Sequence, residues 1–409
     1  MISAISSNVA AAAPRLEVRV ARSVEEMQAF REFWCDSQWH PFVDFEFFSV
    51  FTRSSKEIVH PCVLALFRDD KPVALWVGRM EEGVDSITFG YLPLFRAKVR
   101  RLSFSTGGVM GDTGDAAVRA MLAKIDGLIR DWKLDYAVLN NVRDEGPLPA
   151  LASRQGGAVF RDRATVVNLH WTMSLPATLA EFLNRRKKKH RYWLNRLPRV
   201  LERDFPGRVE TKIFTTVEGA ATFCADAAEV SRMTYQRKLG GGFVDDALTR
   251  QRCEIFARRG LFYGYILYLD GQPKAFWCAT HYQGTFFLDS TGYHSDFRKY
   301  EIGTVLFLKL VEDACSRGIS KADFGVGTAG YKERFCDENW TDRSIRLYAR
   351  TAKSAVLNSL RQIVAGASAI AQRILRDSGF LQRVKTFWRS SLRKKTAEEN
   401  KSEGNNETE

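Results

Sequence analysis

The chain has 409 residues, a formal net charge of +13 and 45% hydrophobic residues, among them 28 Phe, 12 Tyr and 9 Trp. That supplies cores for two ordinary domains and excludes a wholly disordered chain. The charge is concentrated: residues 184–203 carry nine Lys/Arg against one acid, residues 353–395 ten against one, and residues 396–409 one against five. Two basic segments therefore need an explanation, not a basic surface.

The opening run MISAISSNVAAAAP lacks a basic start and a sustained apolar core, so it does not read as a signal peptide. No stretch approaches the length of a transmembrane helix. Residues 63–76, VLALFRDDKPVALW, read as a β-hairpin: apolar strand, turn, apolar strand. A strand at Ser86–Tyr91, a helix at Asp115–Trp132 and a strand at Asp135–Asn140 follow. Gly107, Gly108, Gly111 and Gly114 precede that helix with no adjacent cation.

Thr165–Met173 reads as a linking strand. Thr178-Leu-Ala-Glu181 is a capping box, opening a long basic helix over 179–204 that Pro198 is expected to kink or shorten. Next come a strand at Arg208–Thr215, helices at Val217–Arg237 and Asp246–Arg259 (the latter capped by Asp245), and strands at Leu261–Leu269, Lys274–Tyr282 and Thr285–Asp289. A helix over Thr304–Arg317 stops at Gly318, and a strand at Ala322–Val326, a short helix at Ala329–Phe335 and a strand at Ser344–Arg350 close the series. The order β-α-α-β-β-β-α-β-α-β is that of a mixed α/β domain.

Residues 264–277, GYILYLDGQPKAFW, repeat the first hairpin: both copies contain D-x-x-P-x-A-x-W, Asp69 to Trp76 and Asp270 to Trp277. The succession after each copy matches as well, which predicts two tandem domains of one fold, at 15–163 and 164–352. Residues 353–395 read as basic amphipathic helices, with Val356, Leu360, Ile363, Ala367, Ile370 and Ile374 at three- and four-residue steps. They either lie on an anionic membrane surface or pack on the protein or a second copy. Residues 396–409 read as a disordered acidic tail.

The seven cysteines are odd in number, with no C-x-x-C pair, and the six histidines show no H-x-x-x-H spacing. Neither a disulfide framework nor a metal site is expected. Chemistry points instead to the segment before the helix at Thr304. Arg298 and Lys299 stand beside a helix start, where backbone N–H groups and the helix dipole favour a pyrophosphate, and Gly303 leaves room for it.

The run 303–332, GTVLFLKLVEDACSRGISKADFGVGTAGYK, resembles the acetyltransferase domain of the CelD-like and FemAB-like branch of the GNAT superfamily. The matching residues are Gly303, Thr304, Ala314, Gly318, Asp323, Phe324, Gly325, Gly327, Tyr331 and Lys332. The resemblance covers residues 15–350 and implies two tandem GNAT domains, the first degenerate and shaping an acceptor groove. It departs at one point: the superfamily loop is Arg/Gln-x-x-Gly-x-Gly/Ala, and here Glu301 replaces the first glycine.

The resemblance further implies an acyltransferase using acetyl-CoA or another acyl-CoA; the cysteines, read as reduced thiols, suggest a cytoplasmic protein, and the basic segment 353–395 would make it peripheral at the inner membrane. The acceptor would be an amine on a cell-envelope or exopolysaccharide precursor, cellulose biosynthesis included. Leu288, Arg298, Lys299, Gly303 and Thr304 would hold the donor, with a backbone N–H near Leu288 facing the oxyanion. Tyr331 would protonate the leaving thiolate, Lys332 would act at the reacting centre and Asp289 would be the general base. Tyr331 as a core aromatic on Trp340, Lys332 as a solvated side chain and Asp289 as a turn residue are the structural alternatives. Arg186, Lys187 and His190 would meet an anionic acceptor, unless that helix face is merely solvated. A Fem-type aminoacyl-tRNA donor, or a non-catalytic accessory role in a glycan-synthesis complex, remains open alongside.

Overall fold

The computed structural model describes residues 15–90, 92–234 and 242–377. Twelve strands form one sheet: β1 (Leu16–Ala21), β2 (Ile58–Arg68), β3 (Lys71–Phe89), β4 (Leu92–Gly111), β5 (Tyr136–Arg143), β6 (Val166–Ser174), β7 (Val209–Phe214), β8 (Phe262–Leu269), β9 (Gln272–Tyr282), β10 (Thr285–Tyr293), β11 (Lys321–Val326) and β12 (Glu338–Tyr348). The principal helices are α1 (Phe45–Ser54), α2 (Asp115–Asp131), α3 (Leu179–Asn184), α4 (Lys188–Asp204), α5 (Val217–Arg232), α6 (Ala247–Arg258), α7 (Ile302–Ser316), α8 (Gly330–Phe335) and α9 (Ala352–Asp377).

The internal repeat is visible in the backbone. Both hairpins turn through two left-handed residues, Asp69 and Asp70 (φ 49° and 62°) and Asp270 and Gly271 (φ 53° and 72°). Such turns match the twist of the strands they join. In each copy an edge strand precedes the hairpin and pairs antiparallel with it, β1 with β2 and β7 with β8. Trp76 is buried beneath α2 and Trp277 beneath α7, at equivalent positions.

The strand order is β1-β2-β3-β4-β5-β12-β6-β11-β10-β9-β8-β7. The copies therefore exchange their last strands: β6 pairs with β11, β12 pairs with β5, and β12 and β6 pair with each other at the centre. Among the described residues five apolar clusters pack on the sheet. Beside the second copy, α3, α4, α7 and α8 cover one face and α5 and α6 the other. Phe47 of α1 sits in that last core. Asp44, buried at the start of α1, accepts the Tyr282 hydroxyl (2.8 Å) and pairs with Arg259 (2.7 Å), fastening the first copy to the second.

Several boundaries move. The expected strand at Ser86–Tyr91 is the far end of the 19-residue β3, and Tyr91 lies outside the described residues. The long basic helix breaks at residues 185–187 into α3 and α4, and Pro198 stays inside α4. Asp246, not Asp245, caps α6, because its carboxylate accepts from Thr249 N (2.8 Å) while Asp245 holds Arg250. The helix expected over Val217–Arg237 ends at Arg232, and residues 235–237 lie outside the described residues. The last strand begins at Glu338 instead of Ser344.

The glycines before α2 answer to packing. A Cβ on Gly107, whose φ is +75°, would lie 2.4 Å from His40 Cβ. Of the expected C-terminal helices, α9 is described; residues 378–395 and the acidic segment 396–409 lie outside the described residues. Among the described residues no helix is long and apolar enough to cross a membrane.

Candidate active site

The site forms where two parallel strands part. β10 and β11 pair at Thr285↔Lys321, Phe286↔Ala322 and Phe287↔Asp323 and no further. Beyond that point β10 bulges between Leu288 and Ser290 and stays with β9. β11 bulges between Asp323 and Gly325 and stays with β6. The result is a wedge-shaped gap with its apex at Phe287 and Asp323, open to the groups that a sheet would otherwise bond to each other.

On the β11 wall, Gly325 takes φ +65°, which swings successive carbonyls to one side. The Lys332 ammonium collects three of them: Phe324 O at 2.7 Å, Gly325 O at 3.3 Å and Val326 O at 2.8 Å. Lys332 is buried, which lowers its pKa. It is no solvated side chain. Tyr331 lies edge-on to Trp277 (5.8 Å, 85°) and tilted on Phe324 (6.2 Å), not on Trp340.

Trp277 links that tyrosine to the start of α7, since its Nε1 donates to Gly303 O (3.3 Å). The start of α7 has no side-chain cap, and Glu301 precedes it at φ 48°, ψ 44°. That left-handed conformation explains the glycine of the superfamily pattern. The Glu301 carboxylate is turned to Arg334 (3.3 Å), so its charge is neutralised nearby. A Cβ on Gly303 would press on the Tyr293 ring at 3.2 Å. Arg298 and Lys299 are exposed on the 3₁₀ turn Ser295–Tyr300 just before the helix, and Thr304 N bonds to Glu301 O (2.8 Å). Trp277 thus ties Gly303, at the start of α7, to Tyr331, the chain neighbour of the Lys332 that holds the β11 wall.

Asp289 sits in the β10 bulge on the opposite face. Its carboxylate meets Arg252 at 2.5 Å and accepts the Thr280 hydroxyl at 2.8 Å. Burial raises its pKa, against the pull of Arg252. Asp289 is therefore neither a turn residue bonded to its own backbone nor an unengaged base.

The three expected acceptor residues have different surroundings. Arg186 donates to Phe335 O (3.1 Å) and lies over the Phe182 ring (4.4 Å), closing the end of α8. His190 packs between Trp193 and Phe335, and burial, with Arg186 and Arg334 nearby, lowers its pKa. Lys187 is exposed at the start of α4. Lys188 and Lys189 are exposed beside it, and further along Tyr192, Asn195, Arg196, Arg199, Val200 and Arg203 line a surface hollow of about 300 Å³.

One constellation went unmarked in the sequence. His170 on β6 places Nδ1 2.7 Å from Asp342 and Nε2 2.8 Å from Asp323, and its ring stacks on Trp340 at 4.4 Å. Both ring nitrogens face carboxylates, so both donate. Burial alone would lower the pKa, but the hydrogen bonds to Asp323 and Asp342 outweigh it and push it up to about 9. All three residues are buried, and Asp323 stands at the apex of the gap. The only signal for it lay in Asp323 of the Asp-Phe-Gly-x-Gly run, because its partner His170 is 153 residues away.

The equivalent gap in the first copy is laced shut. β4 and β5 pair in parallel from Arg101↔Tyr136 to Phe104↔Leu139. Asn140 Nδ2 then bonds Ser103 Oγ (3.1 Å) and Phe104 O (2.8 Å), and Asn141 Nδ2 bonds Thr106 Oγ1 (2.9 Å).

Two parallel strands thus part beside a helix start that has no side-chain cap. Residues 188–333 match the family described as acetyltransferase (GNAT) domain, so the second copy carries such a domain. Among solved structures, FemX is similar over 84% of this chain and 100% of its own, with a TM-score of 0.56 at 10% identity. A conserved protein of unknown function from Bacteroides thetaiotaomicron VPI-5482 follows, at TM-score 0.48 and 11% identity over 81% of this chain and 100% of its own. A tandem GNAT protein from the clavulanic acid biosynthesis pathway has TM-score 0.48 and 11% identity over 83% of this chain and 100% of its own. A search of curated proteins finds no match. The chain shares its fold with FemX.

Proposed function

We propose that this chain is an acyl-CoA-dependent N-acyltransferase that modifies an amino group on a cell-envelope or exopolysaccharide precursor. The observation that carries the reading is the parting of β10 from β11 after Phe287 and Asp323, beside a helix start with two exposed cations. The amides at Ile302 and Gly303, with Arg298 and Lys299, hold the donor's phosphates. Its extended arm lies along the wall of the gap as an added strand.

The acceptor amine, once deprotonated, attacks the thioester carbonyl. A backbone N–H by Leu288 faces the oxygen on which charge develops. The new C–N bond forms, the C–S bond breaks, Tyr331 gives its proton to the leaving thiolate, and the nitrogen sheds a proton as the amide forms, which returns Tyr331 to the phenol through solvent. Lys332 sets the shape of the β11 wall and brings a positive charge to the reacting centre. Asp289, held by Arg252 and Thr280, is a positioning residue.

Saturating acetyl-CoA is expected to raise the melting temperature by several degrees. With a substrate in hand, Tyr331→Phe should lower kcat roughly 100-fold, the scale of one general acid, and Lys332→Ala at least as much. Tyr331→Phe keeps the ring's packing, so it remains informative even where Lys332→Ala fails to fold. An unmoved melting temperature, or wild-type kcat in both variants, overturns the assignment.

An aminoacyl-tRNA donor is the second reading, favoured by the exposed Lys188, Lys189, Arg196 and Arg199 along α4 and by the FemX-like fold. Stabilisation by charged tRNA and not by acetyl-CoA, weakening steeply with salt, would select it.

A further inference from the structure

The β3–β4 arm reaches well past the rest of the sheet, and its end carries apolar side chains in solvent. Leu92 is 56% exposed, Leu94 53% and Phe95 40%. α9 runs beside it. At its first turn Lys353 Nζ meets Asp135 Oδ2 (2.7 Å), and Asp135 also accepts from Arg100 N (2.9 Å), level with Glu82 on β3. Two turns on, Arg361 pairs with Asp85. The helix therefore advances towards the hairpin tip.

From Asp85 to the last residue of β3, Phe89, the strand rises roughly 13 Å, a distance the helix covers in about nine residues, at Ile370. Helix and arm thus come level at their ends. There the helix also presents apolar side chains, Ile370 and Ile374, each at 63% exposure. The face that docks is a different one, built from Ser354, Leu357, Asn358 and Arg361.

We propose that the tip of the β3–β4 arm and the outer end of α9 together form a docking surface for an anionic lipid membrane. Charge selects the occupant. Arg96 and Lys98 are exposed just behind the apolar tip, and Arg373 is exposed on the helix. Residues 86–98 and 352–376 contain no Asp or Glu. A second copy of this surface would bring cation against cation, whereas an anionic bilayer accepts apolar side chains at the acyl boundary and cations among the headgroups. An exposed apolar patch bordered by one sign of charge has that chemistry. The surface extends the expectation for residues 353–395 to a hairpin that the sequence did not single out, and it needs no donor chemistry.

The test is co-sedimentation of the full chain with vesicles, without acyl donor or acceptor. The protein should bind phosphatidylglycerol-containing vesicles, less so as salt rises, and not pure phosphatidylcholine. Leu94→Glu with Phe95→Glu, and separately Ile370→Glu with Ile374→Glu, should each cut bound protein at least tenfold while leaving the melting temperature unchanged, since all four side chains are exposed. Binding that survives in the hairpin variant overturns the shared surface, whatever the helix variant does. So does equal binding to neutral vesicles, or self-association through these residues. Because acetyl-CoA stabilisation is read separately, loss of the catalytic reading and loss of this one are distinguishable.

Discussion

Two buried histidines set opposite limits on the pH range of stability. His170 is pushed up to about 9 between its carboxylates, while an unfolded histidine titrates near about 6.5. Its stabilisation is fully present below about pH 6.5 and is lost as pH rises through the folded value. A shift of that size corresponds to roughly 3 kcal/mol at most. His40, packed on Phe287, is pushed down to about 3 by burial. Below about pH 6.5 the unfolded chain takes up a proton that the folded His40 refuses, so stability falls on the acid side too. Urea unfolding from pH 5 to 10 should therefore show losses at both ends, and His170→Gln should flatten the alkaline one. An unchanged alkaline loss in that variant would place its origin elsewhere. Neither histidine could be read from sequence, because each owes its state to strands distant along the chain. Tyr331 and Lys332 were legible because their motif is local; that Lys332 is gathered by three carbonyls was not.

At the scale of single elements, the start of α7 holds a testable conflict. Glu301 occupies a left-handed conformation, which costs a non-glycine residue roughly 1 kcal/mol. Its pair with Arg334 is half-exposed and is worth about 1 kcal/mol or less. Glu301→Gly should therefore leave stability unchanged or raise it by up to about 1 kcal/mol. It should also enlarge the acetyl-CoA thermal shift, because a negative charge leaves the helix start. A smaller shift in the variant would show that Glu301 contributes to the donor site. The sequence showed the substitution but not its compensation, since Arg334 is 33 residues away in the chain. Elements with strong periodicity, such as α2 and the second hairpin, were legible nearly to their ends, whereas the first hairpin was legible only around its turn, since β3 runs on to Phe89. The basic helix was not, because a run of cations carries no mark of where the backbone breaks.

For the molecule as a whole, the repeat in the sequence suggests two domains that could be separated at residue 163. The strand exchange argues otherwise. Pairing between distant strands leaves no local trace, so D-x-x-P-x-A-x-W revealed the copies but not how they join. A fragment of residues 15–163 would lack β12 and leave the edge of β5 bare, and it would lose Ile345 and Leu347 from its core. A fragment of residues 164–352 retains β6, β11 and β12. It loses Asp44 from Arg259 and Tyr282, and Phe47 from its core. The intact chain is therefore expected to melt in one cooperative transition by near-ultraviolet circular dichroism and tryptophan fluorescence. Residues 15–163 alone should show no cooperative melt, and residues 164–352 should fold with a lowered midpoint. Mixing the second fragment with the first should restore structure to the first, because β12 then has its partner. A sharp independent melt of residues 15–163 would mean that the exchanged strand is dispensable and that the copies are true domains.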